Sequence, residues 1–203
     1  MAQRPAFALV GGRIVERYFT FEWNPGLAPS QKKKNIAALH AATGLPSLEI
    51  STKSESELGR ALSAFNLRLG GFPLECVYQA GKITSEGGPY PDLLKTEPRE
   101  AKRDPRLSHP VVGFMYGGER WPTRPITAFY DYLYILSVME CFDPLPDLTP
   151  YVWFTDIEYN PNRSVSTQAR SAALLKAVVN EPDVMKDRNS FLEFHMRTVP
   201  KVL

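Results

Sequence analysis

Apolar and polar residues alternate from Ile14 to Trp23, with Val15, Phe19, Phe21 and Trp23 on one face and Glu16, Tyr18, Thr20 and Glu22 on the other. This is the period of a half-buried strand. Pro25 and Gly26 end it. A helical period follows, with Ser30 as its N-cap candidate and Ile36, Leu39 and His40 along its length. The basic run Lys32-Lys33-Lys34 then falls in the first turns, where positive charge opposes the helix dipole. It marks either an anion contact or a solvated face. Leu48 to Thr52 reads as a short strand, and a helix capped by Ser54 or Ser56 runs from there to Leu62. Strand, polar turn and helix start make Ser51, Lys53 and Ser54 candidates for a phosphate seat, the alternative being a cap beside an exposed lysine.

The densest part of the chain is Leu62 to Arg106, with two short helices separated by the turn Glu86-Gly87-Gly88-Pro89-Tyr90. Thr127 to Glu140 is apolar and aromatic enough to be a core helix. Trp153 to Tyr159 alternates like a strand stopped by Asn160-Pro161, so Asp156 and Glu158 share a face and read as an exposed carboxylate pair. Gln168 to Val179 is helical, with Ala169, Ala172 and Ala173 permitting close packing. No internal repeat and no linker divides the chain, which predicts one domain over residues 1–203.

Hydrophobic residues make up 43% of the 203, the mix of a globular domain. No apolar run approaches the roughly 20 residues of a membrane span, and the N-terminus lacks a signal peptide's apolar stretch, so a cytoplasmic protein without membrane contact is expected. Cys76 and Cys141 lie in apolar settings that suit reduced, buried thiols. His40, His109 and His195 lack the spacing of a zinc site, and neither a metal nor an organic cofactor is expected. The net charge of +2 is too small for tight nonspecific binding to nucleic acid, so any such contact must be local.

Pro73 is preset for a helix start, and Glu75, Gln79 and Lys82 then fall at i, i+4 and i+7 on one polar stripe, beside an apolar one of Leu74, Val77, Tyr78 and Gly81. Spacing alone favours an ordinary amphipathic surface helix. Gly81 argues otherwise: a glycine inside a helix costs about 0.5–1 kcal/mol relative to alanine, which suggests a close backbone approach. A second helix is predicted over Glu97 to Asp104. Arg99 and Arg103 are like charges at i, i+4 there, as are Glu100 and Asp104, although Glu100 and Arg103 can pair at i, i+3. Arg99, Lys102, Arg103 and Arg106 form a cationic row suited to a diphosphate or a nucleic-acid backbone.

Three ordered blocks carry a family resemblance: Leu62-Ser63-Ala64-Phe65, Pro73 through Lys82, and Pro98-Arg99-Glu100-Ala101-Lys102-Arg103. In order and spacing they resemble the signature of the NADAR family, and most of all the branch paired with DNA ADP-ribosyltransferase toxins. The region 62–106 holds all three. Ala64 stands where the signature has asparagine, with Asn66 two residues on, and Cys76 where it has histidine. The resemblance implies an α+β fold, predominantly helical with a few short strands, and cleavage of an N-glycosidic bond. It implies Glu75 and Lys82 as the reactive pair. Gln79, Lys53, Ser54, Asn66, Arg99, Lys102 and Arg103 are the ligand-binding candidates. The expected ligand is ADP-ribose on single-stranded DNA, and the expected partner a cognate ADP-ribosyltransferase toxin. The chemistry is coherent, since a carboxylate stabilises the oxocarbenium character that develops at an anomeric carbon and a neutral lysine amine can attack it. The alternatives are a metabolite N-glycosidase acting on phosphorylated riboflavin intermediates and a noncatalytic ADP-ribose-binding module.

Overall fold

The computed structural model describes residues 1–26, 28–160, 165 and 167–200. The chain opens with a hairpin of two nine-residue strands, β1 (Ala2–Val10) and β2 (Arg13–Phe21), paired from Ala2↔Phe21 to Val10↔Arg13. Gly11 and Gly12 close it with φ of 55° and 77°, the left-handed conformation a two-residue hairpin turn requires. Next come α1 (Pro29–Thr43), β3 (Ser47–Glu49) and α2 (Glu57–Ala61). The middle of the chain holds β4 (Arg68–Leu69), β5 (Phe72–Pro73), α3 (Leu74–Ala80), β6 (Lys82–Thr84), α4 (Pro98–Ala101), β7 (Val111–Tyr116) and β8 (Glu119–Trp121). It ends with α5 (Ala128–Cys141), β9 (Trp153–Thr155), α6 (Gln168–Asn180) and α7 (Arg188–Thr198).

The principal sheet has the order β2-β1-β9-β3, with β3 parallel to β9 and the other neighbours antiparallel. Both its faces are covered. Ala6, Ala8, Phe19, Phe21 and Trp153 pack with Ile36 and Leu39 of α1, while Phe7, Ile14, Leu48 and Phe154 join the larger core built on α5, α6 and α7. A second sheet, β6-β7-β8, packs Phe114 and Trp121 against Phe129 of α5, with Phe114 stacked on Phe129 at 4.5 Å. Ala169, Ala172 and Ala173 of α6 are fully buried in the same core, as their size predicts.

The fold is α+β. Its helices are accompanied by a hairpin of two nine-residue strands and a sheet covered on both faces, where the sequence suggested only a few short strands. Val15 is exposed although it shares the strand face of Phe19 and Phe21, which pack toward α1, while Ile14 on the other face joins the larger core. Ser30 is not the N-cap of α1: Ala28 takes that position and Pro29 fills the first turn. Lys32 pairs with Glu158 at 3.2 Å and Lys33 with Glu55 at 3.9 Å, so two of the three lysines of the basic run have carboxylate partners. Ser56 caps α2 and Leu62 ends it, as expected. Cys76 is buried, whereas Cys141 is exposed rather than buried. Pro161, half of the predicted strand stop, lies outside the described residues.

Candidate functional site

The helix predicted through Lys82 is shorter than its spacing suggested. α3 ends at Ala80, Gly81 is its C-cap, and Lys82 is the first residue of β6. The change of direction is enforced from outside, since the Gly81 carbonyl accepts the Met115 N–H at 2.7 Å. A Cβ on Gly81 would lie 2.8 Å from the Met115 carbonyl and 2.9 Å from the Phe129 ring, which is the close approach its presence implied. Gly88, with φ of 110°, lets the following loop pass the Lys82 carbonyl, where a Cβ would come within 2.5 Å. The Tyr90 hydroxyl holds that loop against Thr84 at 2.7 Å.

Glu75 and Gln79 remain one turn apart, and the Gln79 amide Nε2 donates to Glu75 Oε1 at 2.7 Å. Gln79 is 3% exposed, and its Oε1 has no hydrogen-bond partner. A buried carbonyl left unpaired costs about 1–3 kcal/mol, so this acceptor is suited to a ligand hydroxyl. Lys82 Nζ lies 4.9 Å above the Tyr78 ring and forms no ion pair among the described residues. Burial lowers the Lys82 pKa, the Glu75 charge opposes the shift, and Lys102 adds to it. Lys82 is thus set toward its neutral amine with a carboxylate in electrostatic reach. Tyr78 also packs edge-on against Tyr130 of α5, at 5.2 Å.

The cationic row divides. Arg99, Lys102 and Arg103 are exposed at α4, which is a single turn rather than a helix to Asp104, and none of them forms an ion pair among the described residues. Arg106 does not belong with them. Its guanidinium grips Asp92 and Asp104 at 2.6 and 2.8 Å and lies over Tyr90 at 4.7 Å, which makes it a staple for the loop. Asn66 is exposed and donates to the Arg60 carbonyl at 2.7 Å. Ser54 and Lys53 sit on the turn after β3. The Ser51 hydroxyl accepts the Lys53 N–H there, and the Ser54 carbonyl accepts from Arg60. The contacts of that turn run to Glu49 and Arg60.

Asp156 is 8% exposed rather than on a solvated face, and the Glu49 charge acts on it more strongly than that of Glu158. Gln168 Nε2 donates to Asp156 Oδ2 at 3.1 Å, and Gln168 Oε1 accepts the Ala64 N–H at 2.8 Å. The first motif block is thereby joined through α6 to the segment that follows β9. Tyr130 is within electrostatic reach of both Glu75 and Asp156. Tyr130, Glu49 and Gln168 were not singled out in the sequence. The one available signal was a charged Glu49 inside an apolar strand. Among the described residues, no group of three or more His, Cys, Asp or Glu is placed to hold a metal, and no helix is long and apolar enough to cross a membrane.

Lys82 and the Glu75–Gln79 pair thus lie in the second sequence block and the exposed cationic turn in the third, while Ala64 of the first block is held by Gln168. No curated protein matches the chain. The model of the DarT1-associated NADAR antitoxin family matches residues 2–201, nearly the full length, and the chain belongs to that family.

Proposed function

We propose that this protein is an N-glycosidase that removes ADP-ribose from a modified nucleobase in DNA, reversing in the cytoplasm the action of a cognate ADP-ribosyltransferase toxin. The observation that carries the reading is Lys82: half-buried, without an ion-pair partner among the described residues, and lowered in pKa beside Glu75. A lysine that only bound phosphate would gain from staying charged and solvated, whereas burial favours the neutral amine that a nucleophile requires. In this mechanism the Lys82 amine attacks the anomeric carbon of the ribose. Glu75 stabilises the positive charge developing there and then accepts a proton from the amine. The unpaired Gln79 carbonyl orients a ribose hydroxyl, and the Arg99, Lys102 and Arg103 side chains hold the diphosphate. Glu75 returns that proton to the ring oxygen as the ring opens, which makes the sugar–lysine adduct a protonated imine, and water adds to the imine carbon to release ADP-ribose and the Lys82 amine.

The test offers the purified protein an ADP-ribosylated single-stranded oligonucleotide and, separately, a phosphorylated riboflavin intermediate. Release of ADP-ribose from the first supports the proposal. Cleavage of the second alone moves the activity to a small metabolite, and cleavage of neither with ADP-ribose still bound makes the protein a binding module.

A further inference from the structure

A departing nucleobase takes the electron pair of the broken bond and needs a proton, and Glu75 is committed to receiving one from Lys82. A second carboxyl system is within electrostatic reach of Tyr130, whose ring packs on Tyr78 at 5.2 Å beneath Lys82. Glu49 is 1% exposed and surrounded by donors: the Thr155 hydroxyl at 2.6 Å, the Ile157 N–H at 2.8 Å and the Ser51 hydroxyl. The Thr155 proton is given to Glu49, so His40 Nε2, 2.9 Å from the Thr155 oxygen, must supply its N–H to that oxygen. Burial lowers the His40 pKa to about 4, which keeps the ring neutral in that role. Asp156 has fewer donors, the Glu158 N–H at 3.0 Å and Gln168 Nε2 at 3.1 Å. Burial and then the Glu49 charge push Asp156 up to about 8. Burial raises both carboxyls, but the donors gather on Glu49, so the proton of the pair resides on Asp156.

We propose that Asp156 gives its proton to the departing base and that Glu49, held ionised by the Thr155–His40 chain, is its positioning residue. The inference rests on the N-glycosidase reading of the same site. As the Lys82 nitrogen bonds to the anomeric carbon, the glycosidic bond breaks toward the base. The base nitrogen takes the Asp156 proton, leaving a carboxylate and a cationic sugar–lysine adduct. Water then adds to the adduct. One of its protons returns to Asp156, its oxygen stays on the sugar, and Lys82 leaves as the neutral amine. The groups facing Asp156 are Glu49 on β3, Glu158 in its own segment, Gln168 on α6, Tyr130 and Tyr134 on α5, and Tyr159. Glu49 is the charge that distinguishes this carboxyl, since Glu158 is exposed and paired with Lys32.

The experiment compares wild type, Asp156→Asn, Glu49→Gln and Glu49→Asp on two substrates: an ADP-ribosylated oligonucleotide, and ADP-ribose bearing 4-nitrophenolate, which departs without a proton. Asp156→Asn is expected to lose roughly 10²-fold or more on the oligonucleotide and to keep most of its rate on the nitrophenyl compound. Equal loss on both, with ADP-ribose still bound, overturns the inference and leaves the N-glycosidase reading standing. Failure of the wild type on both overturns that reading and the inference with it. Glu49→Gln removes the charge that keeps Asp156 protonated, so the alkaline limb of the rate profile moves to lower pH and Glu49→Asp restores it. An unmoved limb removes Glu49 from the device. The wild-type infrared spectrum near neutral pH supplies a readout independent of activity. A neutral carboxylic C=O band that Glu49→Gln displaces supports the pair, and absence of the band overturns it.

Discussion

At the scale of single residues, two opposed effects act on Lys82. The Tyr78 ring beneath its Nζ and the Glu75 charge favour the ammonium, the ring by about 0.5–2 kcal/mol, whereas burial and Lys102 favour the amine. The net direction is downward, so the rate of a nucleophilic Lys82 should rise with pH and level off below the range of an ordinary lysine. Lys102→Ala removes a like charge, and the rising limb should move to higher pH; a limb that stays in place would detach Lys102 from Lys82. Lys82→Arg keeps the charge but cannot form an imine. It should retain ADP-ribose affinity, lose nearly all turnover and yield no borohydride-trapped adduct, and normal turnover would refute the nucleophile. Glu75→Gln preserves an oxygen for the Gln79 donor, so the local structure survives while the rate falls by roughly 10²- to 10⁴-fold at unchanged affinity. Parallel loss of binding and rate would make Glu75 a binding residue instead.

At the scale of elements, the junction of α3 and β6 places Lys82, and Gly81 makes that junction possible. Gly81→Ala would drive a methyl into the Met115 carbonyl and the Phe129 ring, overpacking that should cost about 1–3 kcal/mol in denaturant unfolding. Turnover should fall further than the stability loss explains, because Lys82 is the next residue. Stability and rate equal to wild type would show that the contact is not tight. The start of α3, the shared face of Glu75 and Gln79 and the need for a small residue at 81 were all legible in the sequence. The end of α3 was not, because a spacing of seven suits a helix, and what stops this one is a hydrogen bond from Met115, more than thirty residues away. The same blindness to partners hid β1. Its Ala6, Phe7 and Ala8 are all buried, since the sheet is covered on both faces, and a strand of that kind shows no alternation. Asp156 was misread for the same reason, as its place on a strand face said exposed until α6 and β3 closed over it.

At the scale of the whole molecule, the helices behind the site are tied by one buried acid. Asp131 on α5 is 0% exposed and accepts from the Ser171 hydroxyl of α6, while His195 Nε2 of α7 lies 2.9 Å away and Arg170 Nη2 of α6 3.6 Å away. Burial alone would raise its pKa. The Arg170 charge, then the His195 and Ser171 contacts, overcome burial and hold it at about 2, below the ordinary 3.8. Removing the charge strands a buried guanidinium that already has two nitrogens without hydrogen-bond partners, so Asp131→Asn should cost about 3–5 kcal/mol of stability at neutral pH. The sign of the pH dependence follows from the lowered pKa: the contribution is complete above about 4 and disappears as the pH falls through about 2. Unfolding measured for both proteins should therefore show a constant gap from neutrality down to about pH 4 that narrows over the next two units. A gap that persists undiminished to the acid end would mean that packing, rather than the Asp131 charge, ties α5 to α6 and α7. Tyr130, which precedes Asp131 on α5, would then be held by packing such as its ring contacts with Tyr78 and Tyr134.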